Sequence, residues 1–364
     1  MRILLISYDD YKFDGRLREL IQVAKELGEV TYITRASDGE QPREKGHILY
    51  PDWGYSRFIF FVCVQVKKLG RQDLIFIDNR KGILPGYLAR KLSGADYVVQ
   101  DCRELYDMKS AAGIPGRIGC IIEQIFTKRS DVVIAANAYR ARIMTKMFRL
   151  KREPLNYENI RRLEYASDEK RQQVEAECRI FFEEPKFRIV STAGCDMSRT
   201  TGKMLEAMKG LGEDYELLLI GESEEEDEQI VRGTIRRLGL TNVKILPRMD
   251  QDHLKYFIQN SQAGMVAYHQ RDLNNRYCAS GKIFEFLFEG KPVVTSTNPP
   301  LKDFCEKYRA GQASDDYEQA VRELAGRYEQ WQNHVERLIS RIHVEQNNKK
   351  LADQIRSLLE ELKR

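Results

Sequence analysis

The chain has 364 residues, 42% of them apolar, enough for two domains each with its own core. Lys and Arg total 59 against 55 Asp and Glu, a net charge of +4, and no nucleic-acid partner is expected of so balanced a total. Residues 1–180 carry 32 cations against 25 anions (+7) and the remainder 27 against 30 (−3), so the first half fits an anionic partner such as lipid headgroups, phosphates or an acidic glycan; plain charge drift between two lobes fits equally.

Seven scattered cysteines without a Cys-x-x-Cys, beside five histidines, exclude a zinc framework and fit reduced thiols in a cytoplasmic protein. The opening "RILLIS" leads straight into a strand pattern, so no secretory leader is expected. The longest apolar stretch, "FIFFVCVQV" (Phe58–Val66), is too short to span a bilayer.

Along the chain, short apolar runs alternate with helical spacing: "RILLIS", "GRLRELIQVAKEL", "VTYIT", "DLIFID", "LPGYLARKL", "DYVVQD", "GRIGCIIEQIFTKR", "DVVIAA" and "YRARIMTKMF". This predicts a doubly wound, Rossmann-like parallel sheet over residues 1–160. Residues 161–185 are highly charged and read as a linker with a helical middle. A second alternating series begins at "FRIVSTAG" and predicts another such domain over 186–335. Residues 336–364 read as an amphipathic helical segment that bends at "EQNN" and returns to the first domain. The expected fold class is therefore α/β, two doubly wound domains facing across a cleft.

In such sheets ligands bind beyond the carboxyl ends of the strands. The most informative segment is "ASGKIFEFLFEGKPVV" (Ala279–Val294). Ser280 is placed to cap a helix, and Gly281 lets the backbone approach a ligand, so free N–H groups there favour a phosphate. Glu285, about one turn on, fits two hydroxyls of a ribose, although a capped helix with a solvated glutamate reads the same way. In "STAGCDMSRTTGK", Gly194 opens a loop, with Arg199 and Lys203 as cations for a diphosphate; Lys203 fits a surface charge as well. The strand "VVQDC" delivers Asp101, with Arg103 and Glu104 beside it, as a base or an acceptor clamp, or as an ordinary turn cap. Gly15 opens a helix after a first loop that lacks Gly-x-Gly-x-x-Gly, which argues against a dinucleotide there. "GIPGRIG" (Gly113–Gly119) reads as a loop on the acceptor side, and His269 ends the strand "AGMVAYH". From Tyr55 to Arg71, an apolar stripe through Phe58, Phe61, Val62 and Gln65, bordered by Arg57, Lys67, Lys68 and Arg71, fits a helix lying on an anionic bilayer; a sheet-covering helix needs such a stripe too.

Taken together, these segments resemble the GT-B glycosyltransferases, and more specifically the retaining family 4 of bacterial polysaccharide assembly, most clearly from Ile189 to Asp315. "SGKIFEFLFEGKPVV" is similar to that family's donor signature, in which a phosphate-binding turn precedes a ribose-holding glutamate, here Glu285. Gly194 and Arg199 match a glycine and a basic residue near the diphosphate, the latter more often lysine. The sequence departs where many members carry a sugar-contacting glutamate: that position is Tyr277. Asn274, Asn275 or Lys282 are then the candidates for reading the sugar.

The resemblance implies a cytoplasmic enzyme, peripheral at the membrane, that moves a sugar from a nucleotide sugar (a UDP-sugar first) to a saccharide or lipid-linked acceptor. It implies retention, and neither metal nor cofactor, the cations and a helix N-terminus receiving the leaving diphosphate. A nucleotide-sugar epimerase, a non-catalytic partner subunit and an anionic-glycan binding module are the alternatives.

Overall fold

The computed structural model describes residues 1–37 and 39–364. They form two compact units, 1–161 with 344–364, and 162–343. The first holds a sheet of β1 (Arg2–Asp10), β2 (Glu29–Arg35), β3 (His47–Tyr50), β4 (Leu74–Asp78), β5 (Tyr97–Cys102), β6 (Val132–Ala135) and β7 (Leu155–Asn156). Their order is β3-β2-β1-β4-β5-β6-β7. The second holds β8 (Phe187–Ser191), β9 (Tyr215–Ile220), β10 (Val243–Leu246), β11 (Ala263–Val266), β12 (Val293–Thr295) and β13 (Gly311–Ala313). Their order is β10-β9-β8-β11-β12-β13. Neighbouring strands pair in parallel in both sheets, for example Ile3 with Leu74 and Gly264 with Val293. Every residue of β4 is buried, as expected of a strand covered on both faces.

The order reverses between β1 and β4 in one sheet and between β8 and β11 in the other. At such a switch point the crossovers run to opposite sides and leave a crevice beyond the strand ends.

The helix Gly15–Leu27 shows how the layers close. Asp14 caps it, its carboxylate accepting the Leu17 N–H at 2.9 Å. Leu17, Leu20, Ile21 and Ala24, at i, i+3, i+4 and i+7, pack in one core with Leu351, Ala352, Ile355 and Leu359 of the helix Val344–Lys363. The C-terminal helix therefore belongs to the first unit. Asn348 fixes it there, accepting from the Tyr157 hydroxyl at 2.7 Å and donating to Glu19 at 2.6 Å.

Four expectations are corrected. The bend falls at 340–343 rather than at "EQNN", because buried Asn348 is spent on those two bonds inside the helix. Residues 162–185 are part of the second unit: the helix Asp168–Cys178 buries Val174 and Cys178, and Phe181 and Phe182 lie 5.4 and 5.2 Å from the Phe257 ring. "GIPGRIG" opens the helix Gly113–Thr127 rather than forming a loop. The helix Tyr55–Leu69 turns Phe58, Val62 and Val66 into the sheet core, so its stripe is a packing face. No helix among the described residues is long and apolar enough to cross a membrane.

Candidate functional site

At the β8–β11 switch point three loops are tied together. The loop after β8 carries Thr192, Gly194, Asp196 and Arg199, and the loop after β11 carries Tyr268 and His269. The turn at Ser280–Gly281 leads into the helix Lys282–Phe288. The His269 N–H donates to the Ser198 carbonyl at 3.0 Å, and the Lys282 ammonium donates to the Thr192 carbonyl. The Arg199 guanidinium lies over the Tyr268 ring at 4.0 Å, and its Nε donates to Asp196 at 3.2 Å. Asn298, fully buried beyond β12, donates to the carbonyls of Asn275 at 2.8 Å and His269 at 3.4 Å.

Four side-chain atoms here are buried without a hydrogen-bond partner: Ser191 Oγ at the end of β8, Thr192 Oγ1, Arg199 Nη1 and Ser280 Oγ. Buried polar atoms are ordinarily satisfied, and leaving one unmet costs roughly 1–3 kcal/mol. Ser280 corrects the sequence reading. It does not cap the helix; Gly281 occupies the cap position with no side-chain bond, and at φ −66° it needs no glycine for conformational reasons. Glu285 is 5% exposed, so it is not the solvated glutamate of the alternative reading. Its helix is pressed onto β11, where a Cβ on Gly264 would stand 2.3 Å from the Phe286 ring. Gly290 ends that helix at φ +71° before the chain enters β12.

Gly194 has a local reason for being glycine. Its φ is +59°, and a Cβ would meet Ser223 Oγ at 2.7 Å. Lys203, more than half exposed, pairs loosely with Asp315 at 3.7 Å, which is the surface-charge reading. Asn274 and Asn275 sit in the short helix Leu273–Arg276, capped by Asp272, and the Asn275 amide also donates to Asp272 at 2.9 Å. His269 Nε2 lies 3.6 Å from Asp272. Tyr277 follows, half-buried, its N–H donating to the Leu273 carbonyl.

At the β1–β4 switch point of the first unit the picture differs. Asp101 is fully buried, and both its oxygens accept from Arg16, at 2.6 and 2.8 Å. A carboxylate so held cannot serve as a base for a substrate, and that expectation is corrected. Arg103 is likewise internal. It grips Asp78 through Nε at 2.7 Å and Nη2 at 2.5 Å, and Asp14 through Nη1. Burial, with the neighbouring carboxylates, pushes Asp78 up despite Arg103, while for Arg103 the opposing effect of burial is overcome by Asp78, Asp14, Asp9 and Asp101, which hold its proton more tightly than usual. Ser7 donates to Asp78 at 2.7 Å. Glu104 is half-buried beside the Tyr106 hydroxyl, whose pKa burial and that carboxylate raise. At Gly15 a Cβ would fall 2.8 Å from the Arg161 side chain, so its glycine is a packing need. Sequence reasoning missed Ser7, Asp14, Arg16 and Asp78, although "DLIFID" and "DYVVQD" both end in a carboxylate that could have been paired with a cation.

No protein-family model and no curated protein matches this chain. Among solved structures, it is similar to HepE from Anabaena in complex with UDP and glucose, at TM-score 0.74 and 15% identity over 98% of this chain and 100% of that one. Sucrose-phosphate synthase from Thermosynechococcus elongatus gives 0.73 and 16% over 99% of both. WaaG, a glycosyltransferase involved in lipopolysaccharide biosynthesis, gives 0.70 and 15% over 97% and 99%. The fold is GT-B.

In this GT-B chain the switch point of the second unit gathers several of the unmet polar atoms, while others lie elsewhere in both units. The corresponding point of the first unit is filled by its own ion pairs.

Proposed function

We propose that the chain is a glycosyltransferase that moves a sugar from a nucleotide sugar, a UDP-sugar first, to a saccharide or lipid-linked acceptor. The observation that carries this reading is the group of unmet buried atoms at the β8–β11 switch point, Arg199 Nη1 and Ser280 Oγ among them. A diphosphate supplies acceptors for Arg199 and Ser280. Glu285, buried four residues past Gly281, holds the ribose hydroxyls. The HepE structure contains UDP and glucose in the same fold, which supports this choice of donor.

The mechanism proposed is electrostatic. As the bond from the anomeric carbon to the diphosphate breaks, negative charge grows on the leaving oxygens. Arg199, braced between Asp196 and the Tyr268 ring, meets that charge without having to reorganise. The Lys282 ammonium is already held by the Thr192 carbonyl, which fixes the approach of the Ser280–Gly281 turn. The reaction is proposed to be metal-independent and to retain configuration, the acceptor attacking on the leaving-group face and the diphosphate taking its proton.

The test is thermal denaturation with UDP, GDP, ADP and a panel of nucleotide sugars. A binder near a hundredfold over its dissociation constant should stabilise by about 2–3 kcal/mol. An unchanged melting temperature with every nucleotide contradicts the reading and favours a non-catalytic subunit. Interconversion of a sugar nucleotide without an acceptor favours an epimerase.

A further inference from the structure

The helix Gly113–Thr127 is built inside out for a sheet-covering element. It buries Glu123 and Thr127 together with Cys120, while Ile114, Ile118, Ile121 and Ile125 are 74%, 51%, 45% and 44% exposed. At 3.6 residues per turn these four isoleucines fall within an arc of about 60°. The neighbouring helix Ile83–Ser93 is locked to it by Tyr87, whose ring lies 4.5 Å from Phe126 and whose hydroxyl donates to the Phe126 carbonyl at 2.7 Å. That helix exposes Leu88 and Leu92. Exposed apolar residues gathered on one helix face in this way mark an interaction surface.

The exposed charge on this helix and its C-terminal end is of one sign. Glu123, the acidic residue of the helix, is 3% exposed and paired with Arg80 at 2.9 Å. The exposed charges from Gly113 to Arg129 are Arg117, Lys128 and Arg129. Beyond the C-terminal end of the helix lies a cavity of about 480 Å3 whose wall sets five cations (Lys128, Arg129, Arg149, Lys151 and Arg152) against two carboxylates (Asp131 and Glu153).

We propose that this helix docks the protein on an anionic lipid bilayer. The isoleucines enter the boundary between headgroups and acyl chains, and Arg117, Lys128 and Arg129 pair with lipid phosphates. The other candidate occupant is a second copy of the chain. A two-fold pairing of this helix sets cations against cations in either orientation, with no exposed carboxylate on the helix to answer them. The bilayer satisfies both the apolar stripe and the charge. This proposal stands on the first unit alone and is independent of the donor reading.

The experiment is co-sedimentation of the full chain with vesicles of phosphatidylcholine alone and of phosphatidylcholine with phosphatidylglycerol. Wild type should pellet with the anionic vesicles and far less with the neutral ones. Ile118→Ser/Ile121→Ser should lower partitioning at least about tenfold. Arg117→Glu/Lys128→Glu, on exposed positions, should lower it by about fivefold or more per cation and do so most at low salt. Lys67→Glu/Lys68→Glu, on the helix Tyr55–Leu69, should leave it unchanged. Melting temperature and UDP response are followed in every variant, so a failed donor site and a failed docking surface are told apart. Equal pelleting of wild type and both docking variants overturns the proposal. So does a soluble dimer, seen by sedimentation velocity, that Ile118→Ser/Ile121→Ser disperses while no form binds vesicles.

Discussion

Replacing Arg199 by alanine separates a catalytic cation from a structural one. In the free protein the side chain makes two contacts. Its stacking on Tyr268 at 4.0 Å contributes about 0.5–2 kcal/mol. Its pair with Asp196 at 3.2 Å joins groups 28% and 36% exposed and, discounted for solvent, contributes at most about 1 kcal/mol. Against these stands the unmet buried Nη1, whose removal returns about 1–3 kcal/mol. The terms nearly cancel, so Arg199→Ala should move the melting temperature by only a few degrees. Its effect on transfer should be far larger, roughly 100- to 1000-fold in rate, the loss that follows removal of one preorganised donor. Arg199→Lys keeps the charge but not the two-pronged geometry and should fall between. Release of nucleoside diphosphate in a coupled assay gives the rate, and differential scanning fluorimetry gives stability. A variant that turns over within about threefold of wild type shows that Arg199 faces no developing charge, and the unmet Nη1 then needs another cause.

Three further outcomes follow from particular contacts. Asp101→Asn should leave Arg16, 3% exposed, without its counter-charge and destabilise the first unit by about 3–5 kcal/mol in urea, with UDP affinity unchanged; loss of turnover in a fully stable variant would restore Asp101 as a reacting group. His47 is held neutral, its pKa lowered to about 4 by burial and by Arg43, while its Nδ1 accepts the Arg43 N–H at 3.1 Å. The charged form is disfavoured in the fold, so this contribution is complete above the unfolded value near 6.5 and is lost as pH falls towards 4; melting temperature against pH should flatten over that window in His47→Gln, and parallel curves refute the assignment. Turnover should survive EDTA, since Arg199 and the Ser280–Gly281 turn receive the diphosphate; complete inhibition reversed by magnesium contradicts that.

The doubly wound sheets were legible because strands buried on both faces, such as "DLIFID", read as unbroken apolar runs. The loop cluster at the β8–β11 switch point was legible where chemistry and local turn coincide, at Ser280–Gly281 and Arg199. What stayed hidden depends on partners distant in sequence. Nothing near Asp101 announces Arg16, 85 positions away, so a buried ion pair read as a catalytic carboxylate. The stripe of Tyr55–Leu69 and that of Gly113–Thr127 both have helical period; only packing shows that the first faces a sheet and the second faces outward. Ser280 read as a cap because capping is a local pattern, whereas its unmet hydroxyl is a fact of three loops meeting.

The central claim is tested most directly by isothermal titration of UDP into wild type and Glu285→Ala. The account predicts saturable, one-site binding by wild type and binding weakened by about tenfold or more in the variant, which remains folded. Equal affinity in the two proteins, or no heat of binding with wild type at millimolar UDP, contradicts it.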